Sequence, residues 1–228
     1  MGGVSTPPAL VSLESRRGTI HLVLGSPILD RKLLGALGSA LQELASDPQP
    51  RPLVLRSAHA TVFLAGAHLG EIAALDAAAS EGYAAHGRRV VELLEAHPAP
   101  TVAAVHGSCS GGGFDLVLSC DAVFVGPRAS FHHPGVRRGL VTGWSGTTTV
   151  PATLGPARAR AAFLEGRPID AAAAVSCGLA RDEVDDPAAA ATEAALRLSG
   201  LDPFRIELWR RFRGAGFVDR FRASMVHK

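Results

Sequence analysis

The sequence predicts an α/β fold organised around a mostly parallel sheet, and three observations lead there. The runs Pro52–Arg56, Pro100–Val105 and Asp121–Val125 are short and largely apolar, as expected of strands covered on both faces. Between them lie segments with apolar residues at i, i+3 and i+4 spacing, so strand, helix and strand alternate through the first two-thirds of the chain, the pattern of right-handed βαβ units. From Trp144 onward the strand signals fade and helical patterns take over.

Taken in order, Leu10–Glu14 and Ile20–Leu24 flank an Arg16-Arg17-Gly18 turn and read as a β-hairpin. Asp30 is placed to cap a helix whose Leu33, Leu34, Leu37, Leu41 and Leu44 share one face. The strand at Pro52 follows, then an Ala-rich polar stretch and a second amphipathic helix over Tyr83–Ala96, with Val90, Val91, Leu93 and Leu94 on its inner side. The strand at Pro100 runs into Gly107, a Ser-Cys-Ser turn, Gly111-Gly112-Gly113 and a helix to about Ser119. Ala171–Ser176, Pro187–Ser199 and Pro203–Arg213 are expected helices. The expected organisation is a disordered leader over residues 1–8, a core over 9–185 and a helical region of the same domain over 186–228.

Composition narrows the function classes. The 228 residues are 47% hydrophobic and 19% charged, ample for a continuous core, and the formal net charge is only +2. The basic cluster Arg210, Arg211, Arg213, Arg220 and Arg222 reads as a solvated helix face rather than a nucleic-acid stripe. Cys109, Cys120 and Cys177 form no CxxC pair and no Cys/His metal spacing, as expected of reduced thiols in a cytoplasmic protein with no metal. No apolar run approaches the roughly 18 residues of a membrane span, and no signal peptide is recognisable. Met1–Thr6 fits a myristoylation pattern, but Pro7 and Pro8 favour a frayed leader.

Two glycine-containing segments can carry chemistry: Phe63-Leu64-Ala65-Gly66-Ala67-His68-Leu69, and Val105-His106-Gly107-Ser108-Cys109-Ser110-Gly111-Gly112-Gly113-Phe114-Asp115. Glycines before a helix let backbone N–H groups approach a ligand, where they can hold a phosphate or a developing oxyanion. A tight strand-to-helix packing turn accounts for the same residues equally well. The triplet is neither GxGxxG nor a P-loop.

The run Pro100–Gly107, then Gly111–Leu116 and Cys120-Asp121, resembles the central signature of the enoyl-CoA hydratase/isomerase (crotonase) superfamily. Phe63–Ala67 upstream belongs to it, as do Phe131, Pro134, Gly139, Gly143, Gly146-Thr147, Leu154-Gly155, Gly166–Ile169, Gly178–Ala180 and Glu183-Val184 downstream. The resemblance implies a ββα spiral core with a shortened C-terminal helical region, assembled as a homotrimer or dimer of trimers. It also implies an acyl-CoA or carrier-bound acyl thioester as the partner, with coenzyme A as part of the substrate and no permanently bound cofactor. Carried over by position, the backbone N–H groups of Ala67 and Gly112 would hold the thioester oxygen as it becomes an enolate. Ala65, Gly66, His68, Leu69 and Gly111 would line the thioester and its CoA.

The chain departs from that family at the acid/base positions. Asp115 stands where the hydratases carry a first glutamate, Gly135 where they carry the second, and Gly143 where some relatives carry an aspartate. Hydration needs one carboxylate to activate water and another to deliver a proton, so an enolate-forming enzyme with other acid/base groups is expected rather than an ordinary hydratase. The alternatives are an idle acyl-CoA-binding or scaffold paralogue and a decarboxylase or C–C hydrolase relative. Asp115 and His133 are the replacement candidates. On an extended segment His133 and Gly135 would share a face, and an imidazole exchanges protons near neutral pH. A satisfied polar group is the plainer role for His133, a turn residue for His106, and a position facing away from the site for His132. His68 either approaches the site or caps the next helix. Arg137 and Arg138 either bind a substrate carboxylate or form basic surface. Trp144 either walls the acyl pocket or packs in the core, and Cys109 reads as a buried thiol. By the same resemblance the C-terminus is short, and Lys228 would be the one basic group near its end to reach a neighbour's CoA.

Overall fold

The computed structural model describes residues 9–212. The leader and the stretch around Phe217–Met225 and Lys228 lie outside the described residues. β1 (Val11–Arg16) and β2 (Thr19–Leu24) form the expected antiparallel hairpin. Its two turn residues, Arg17 (φ 48°) and Gly18 (φ 83°), are both left-handed, which matches the twist of the flanking strands.

From β2 onward the chain repeats one figure: a strand in the main sheet, a strand outside it, then a helix. β2 is followed by β3 (Ile28–Leu29) and α1 (Arg31–Ala45), and β4 (Leu53–Ser57) by β5 (Val62–Leu64), β6 (Gly66–Ala67), α2 (Leu69–Ala73) and α3 (Ala77–Glu95). β7 (Thr101–Val105), β8 (Ser108–Ser110) and α4 (Gly112–Leu118) make the next turn. β9 (Ala122–Val125), β10 (Ser130–His132), a 3-10 turn at Pro134–Arg138 and α5 (Gly146–Arg160) make the one after. The chain closes with β11 (Ile169–Asp170), α6 (Ala171–Ser176), β12 (Asp182–Glu183), α7 (Pro187–Ser199) and α8 (Pro203–Phe212).

The main sheet runs β1-β2-β4-β7-β9-β12, parallel except for the hairpin, and a four-stranded sheet runs β11-β10-β8-β5. A parallel β3–β6 pair stands apart. This is the ββα spiral anticipated above.

Sequence and structure agree on α1, where the Asp30 carboxylate accepts the Leu33 N–H at 2.7 Å and all five leucines are buried. Helix α3 begins at Ala77, a full turn and more before Tyr83, because the Asp76 side chain caps it through the Ala79 N–H. Helix α5 gave no readable pattern. Pro151 and Pro156 interrupt it, and Gly155 (φ 75°, ψ 163°) breaks its backbone.

One side of the main sheet carries Ile20, Leu22, Leu53, Leu55, Ala103 and Val105 into the principal core. The other carries Val54, Val102, Ala104 and Phe124 against Ala191, Ala194 and Ala195 of α7. Helix α8 is fastened differently, and Arg210 is not on a solvated face. Its guanidinium grips both oxygens of the buried Asp121 carboxylate at 2.6–2.7 Å and the carbonyls of His97 and Ala99 at 2.6 and 3.0 Å. A bidentate pair of this kind adds direction as well as charge. No described helix is long and apolar enough to cross a membrane.

His97 and His21 are buried in this framework. The His97 ring donates through Nε2 to the Arg51 carbonyl at 3.1 Å, while its Nδ1 has no partner. Burial, reinforced by the Arg210 charge against an opposing contribution from the Arg51 hydrogen bond, lowers the His97 pKa. Burial and the Arg56 and Arg16 charges lower that of His21. A histidine whose folded pKa is depressed is protonated first in the unfolded chain, so stability falls as pH drops below about 6.5. Urea midpoints measured from about pH 7 down to about pH 5 should therefore decline, and His97→Gln, which keeps a donor but cannot take a proton there, should flatten the decline. An unchanged slope in that variant would remove His97 as a source.

Candidate active site

The fold brings the two glycine segments into contact. The Ser110 hydroxyl at the end of β8 donates to the Ala65 carbonyl at 2.7 Å, tying the segment before α4 to the one before α2. Gly66 (φ 88°) and Gly111 (φ 55°) face each other there. A Cβ on Gly66 would lie 2.9 Å from the Ser110 carbonyl oxygen, and one on Gly111 would lie 3.8 Å from the Gly66 Cα. Close approach and left-handed backbone together demand glycine at Gly66.

The three consecutive glycines have three different causes. Gly111 supplies the positive φ that turns β8 into α4. Gly112 leaves room for the indole of Trp144, and Gly113 for Leu64 of β5, whose Cβ would be 2.4 Å from an added Cβ. The packing role is thus real. It leaves the Gly112 N–H, at the first position of a helix, among the donors that no intrahelical carbonyl can reach.

Asp115 sits in the first turn of α4 and is fully buried. The Thr142 hydroxyl donates to its Oδ2. Its Oδ1 is 3.4 Å from Nε2 of His133. That is within ion-pair reach but off the direction of a hydrogen bond, so both atoms are buried without a hydrogen-bond partner. A native interior seldom leaves such groups unpaired without a reason. The His133 ring is 5% exposed, stacked on Phe163 at 5.0 Å between centroids and 5.3 Å from Phe114.

The two carried-over acid/base candidates are therefore neighbours, although the route that suggested His133 fails. Residues 134–138 are not extended but form a 3-10 turn started by Pro134. Gly135 is crowded as well: a Cβ there would lie 3.1 Å from the Leu140 carbonyl oxygen and 3.2 Å from its Cβ, in a turn packed on itself.

The other candidates fall on both sides of their alternatives. His68 caps α2, accepting the Glu71 N–H at 3.1 Å, and Leu69 beside it is exposed. His106 binds the His59 carbonyl at 2.7 Å and so holds a turn. His132 is half-buried, and burial together with His133 and Arg137 lowers its pKa. Arg137 and Arg138 are exposed. Burial, with Asp115 and Cys120 adding, pushes the Cys109 thiol well above its ordinary range, as for an inert core residue. Thr142 and Phe163 carry no signal in the sequence, and Gly146 stands there only as part of the resemblance. Thr142 meets Asp115 across 27 residues, and no local spacing encodes that contact. Two surface grooves, of about 570 and 450 Å³, lie elsewhere: one between the end of α3 and α8, the other beside the end of α1.

With this geometry in view, comparison with known proteins identifies the family. The model of the enoyl-CoA hydratase/isomerase family matches residues 24–199. The chain belongs to that family. It is 30% identical over 77% of its length to "Probable enoyl-CoA hydratase 2, mitochondrial" of Arabidopsis thaliana, and 30% identical over 73% to the mitochondrial methylglutaconyl-CoA hydratase of Rattus norvegicus. Those matches span 61% and 54% of the relatives, so the chain covers little more than half their length. Among solved structures, an enoyl-CoA hydratase/isomerase-type protein of Mycobacterium abscessus shares 33% identity at a TM-score of 0.83, covering 94% of this chain and 88% of that one. An enoyl-CoA hydratase of Mycobacterium smegmatis gives 25% and 0.84, covering 95% and 88%.

The enclosure of Asp115 can be tested through Gly146, the first residue of α5. A Cβ there would lie 2.2 Å from Asp115 Oδ1 and 2.8 Å from Thr142 Cγ2. Gly146→Ala should destabilise the fold by about 1–3 kcal/mol through overpacking, read as a lower urea midpoint. A midpoint equal to that of the parent would show that the 142–146 segment does not close on the carboxylate.

Proposed function

We propose that the protein binds an acyl thioester, of CoA or of a carrier, between Ala65–Leu69 and Gly111–Gly112 and moves a proton at the carbon next to its carbonyl. The observation that carries this reading is the Asp115–His133 contact one helical turn from Gly112. It supplies an acid/base pair in a chain whose second family carboxylate is replaced by Gly135.

In this scheme the pair takes the α-proton, the C–H electron pair becomes a carbon–carbon double bond, and the carbonyl π pair moves onto oxygen to give an enolate. The N–H groups of Ala67 and Gly112 receive the negative charge, and donors fixed in advance in a dry site contribute several kcal/mol. Thr142 holds Oδ2, leaving Oδ1 and the imidazole to share the proton. Return of that proton to carbon or to a neighbouring atom ends the cycle. Ordinary hydration, which needs two carboxylates around a water, is not the reaction proposed. Self-association into a trimer or dimer of trimers and a cytoplasmic location are part of the proposal. The exposed Val141 and Leu164 supply apolar surface for a subunit contact.

Complete burial of Asp115 favours a second reading, in which the pair is structural and the protein binds thioesters without turnover. Titration calorimetry with CoA and crotonyl-CoA establishes binding for either reading. Exchange of the α-protons of butyryl-CoA in deuterated buffer then separates them. Exchange should occur, fall by about 10²-fold or more in Asp115→Asn, and fall in His133→Ala as well. Binding without exchange would leave the idle reading standing. Fast crotonyl-CoA hydration that survives Asp115→Ala would sink both.

A further inference from the structure

Trp144 occupies a notch that two glycines on different helices make for it. A Cβ on Gly87 of α3 would lie 1.8 Å from the indole Cε2 and 1.9 Å from Nε1. A Cβ on Gly112 of α4 would lie 2.3 Å from Cζ3 and 2.6 Å from Cη2. The five-membered ring thus rests on α3 and the six-membered ring on the residue proposed to hold the thioester oxygen. The indole is only partly buried and packs against the main core from its edge.

Its backbone is held too. The Trp144 N–H points to the Thr142 hydroxyl at 3.4 Å, the hydroxyl that binds Asp115, and a Cβ on Gly143 would press on Ala84 of α3 at 3.2 Å. Position 144 is therefore fixed by the same short segment that closes over the carboxylate.

We infer that Trp144 sets the size of the acyl group. This rests on the thioester reading above. A thioester whose oxygen is at the Gly112 N–H must pass its α- and β-carbons between that residue and the Asp115–His133 pair, along the face the indole covers. A short acyl group such as acetyl or butyryl fits beside the ring. A longer chain meets it, and cannot gain the roughly 0.8 kcal/mol per buried methylene that an open apolar channel would give.

The test is calorimetric binding of CoA, acetyl-CoA, butyryl-CoA and octanoyl-CoA to the parent protein, Trp144→Ala and Trp144→Phe. In the parent, octanoyl-CoA should bind no better than butyryl-CoA. In Trp144→Ala it should gain about tenfold or more, with CoA itself changed less than about twofold and Trp144→Phe in between. Octanoyl-CoA binding the parent about tenfold tighter than butyryl-CoA would overturn the inference without need of any variant. So would a chain-length profile identical in Trp144→Ala when CoA binding is intact. If the parent binds none of the four, the thioester reading itself has failed. If it binds CoA with a flat profile that Trp144→Ala leaves flat, only the role of Trp144 has.

Discussion

The approach of Gly66 to Gly111 is the constraint on which the rest of the site depends. Two backbones meet there with no side chain between them, locked by the Ser110–Ala65 hydrogen bond. The contact joins consecutive turns of the spiral, the one that contains β6 and the one that contains β8. It therefore fixes where α4 begins. Everything borne by α4 follows: the free N–H of Gly112, Asp115 one turn further along, and Phe114 against the His133 ring. A side chain at Gly66 would not merely crowd a loop. It would separate the two segments whose adjacency places the donors.

From that anchor the electrostatics follow by enclosure. A carboxylate taken fully out of water must be paired or hydrogen-bonded. Asp115 meets the requirement with one oxygen, through Thr142, and leaves the other facing an imidazole that is itself wrapped by two phenylalanines. The two facing atoms are buried 3.4 Å apart with no hydrogen bond between them, and this is the feature that the proposed proton transfer uses.

Much of this was legible in the sequence, in proportion to how local the cause was. The leucine face of α1 and its Asp30 cap, the strands at Leu53 and Thr101, and α6, α7 and α8 all announce themselves within a few residues. The short outer strands β5, β6 and β8 do not, because two or three residues carry no periodicity. The proline-broken α5 has no amphipathic stripe to read. In the site, motif resemblance located the glycine segments and Asp115, but the chemistry of the Asp115 environment lies in contacts 18 and 27 residues apart, to His133 and Thr142. An extended backbone from His133 to Gly135 is not what the chain adopts, since a 3-10 turn starts at Pro134. His133 stands beside Asp115 because β10 pairs in parallel with β8 and ends where α4 starts. Arg210, read as surface charge, turned out to be the clamp of α8.

The residues from Gly135 to Gly146 are therefore tied to Asp115 and to one another. Gly135 is pressed against Leu140 by a 3-10 turn that Gly139 (φ 68°) closes, and the Leu140 N–H returns to the Gly135 carbonyl at 2.9 Å. Beyond that turn Thr142 reaches Asp115, Trp144 fills the Gly87–Gly112 notch, and Gly146 admits the carboxylate. A side chain added at position 135 would need Leu140 to give by a few tenths of an ångström, at the start of the segment that carries Thr142 and Trp144. The same thirteen-residue stretch, from Pro134 to Gly146, thus holds the Gly135 turn, the hydroxyl that binds Asp115 and the indole that packs on Gly112. Gly135, the Thr142 hydroxyl and the Trp144 indole are placed by one turn and the segment that follows it, so the chemistry proposed here and the acyl size inferred from Trp144 depend on the same stretch of backbone.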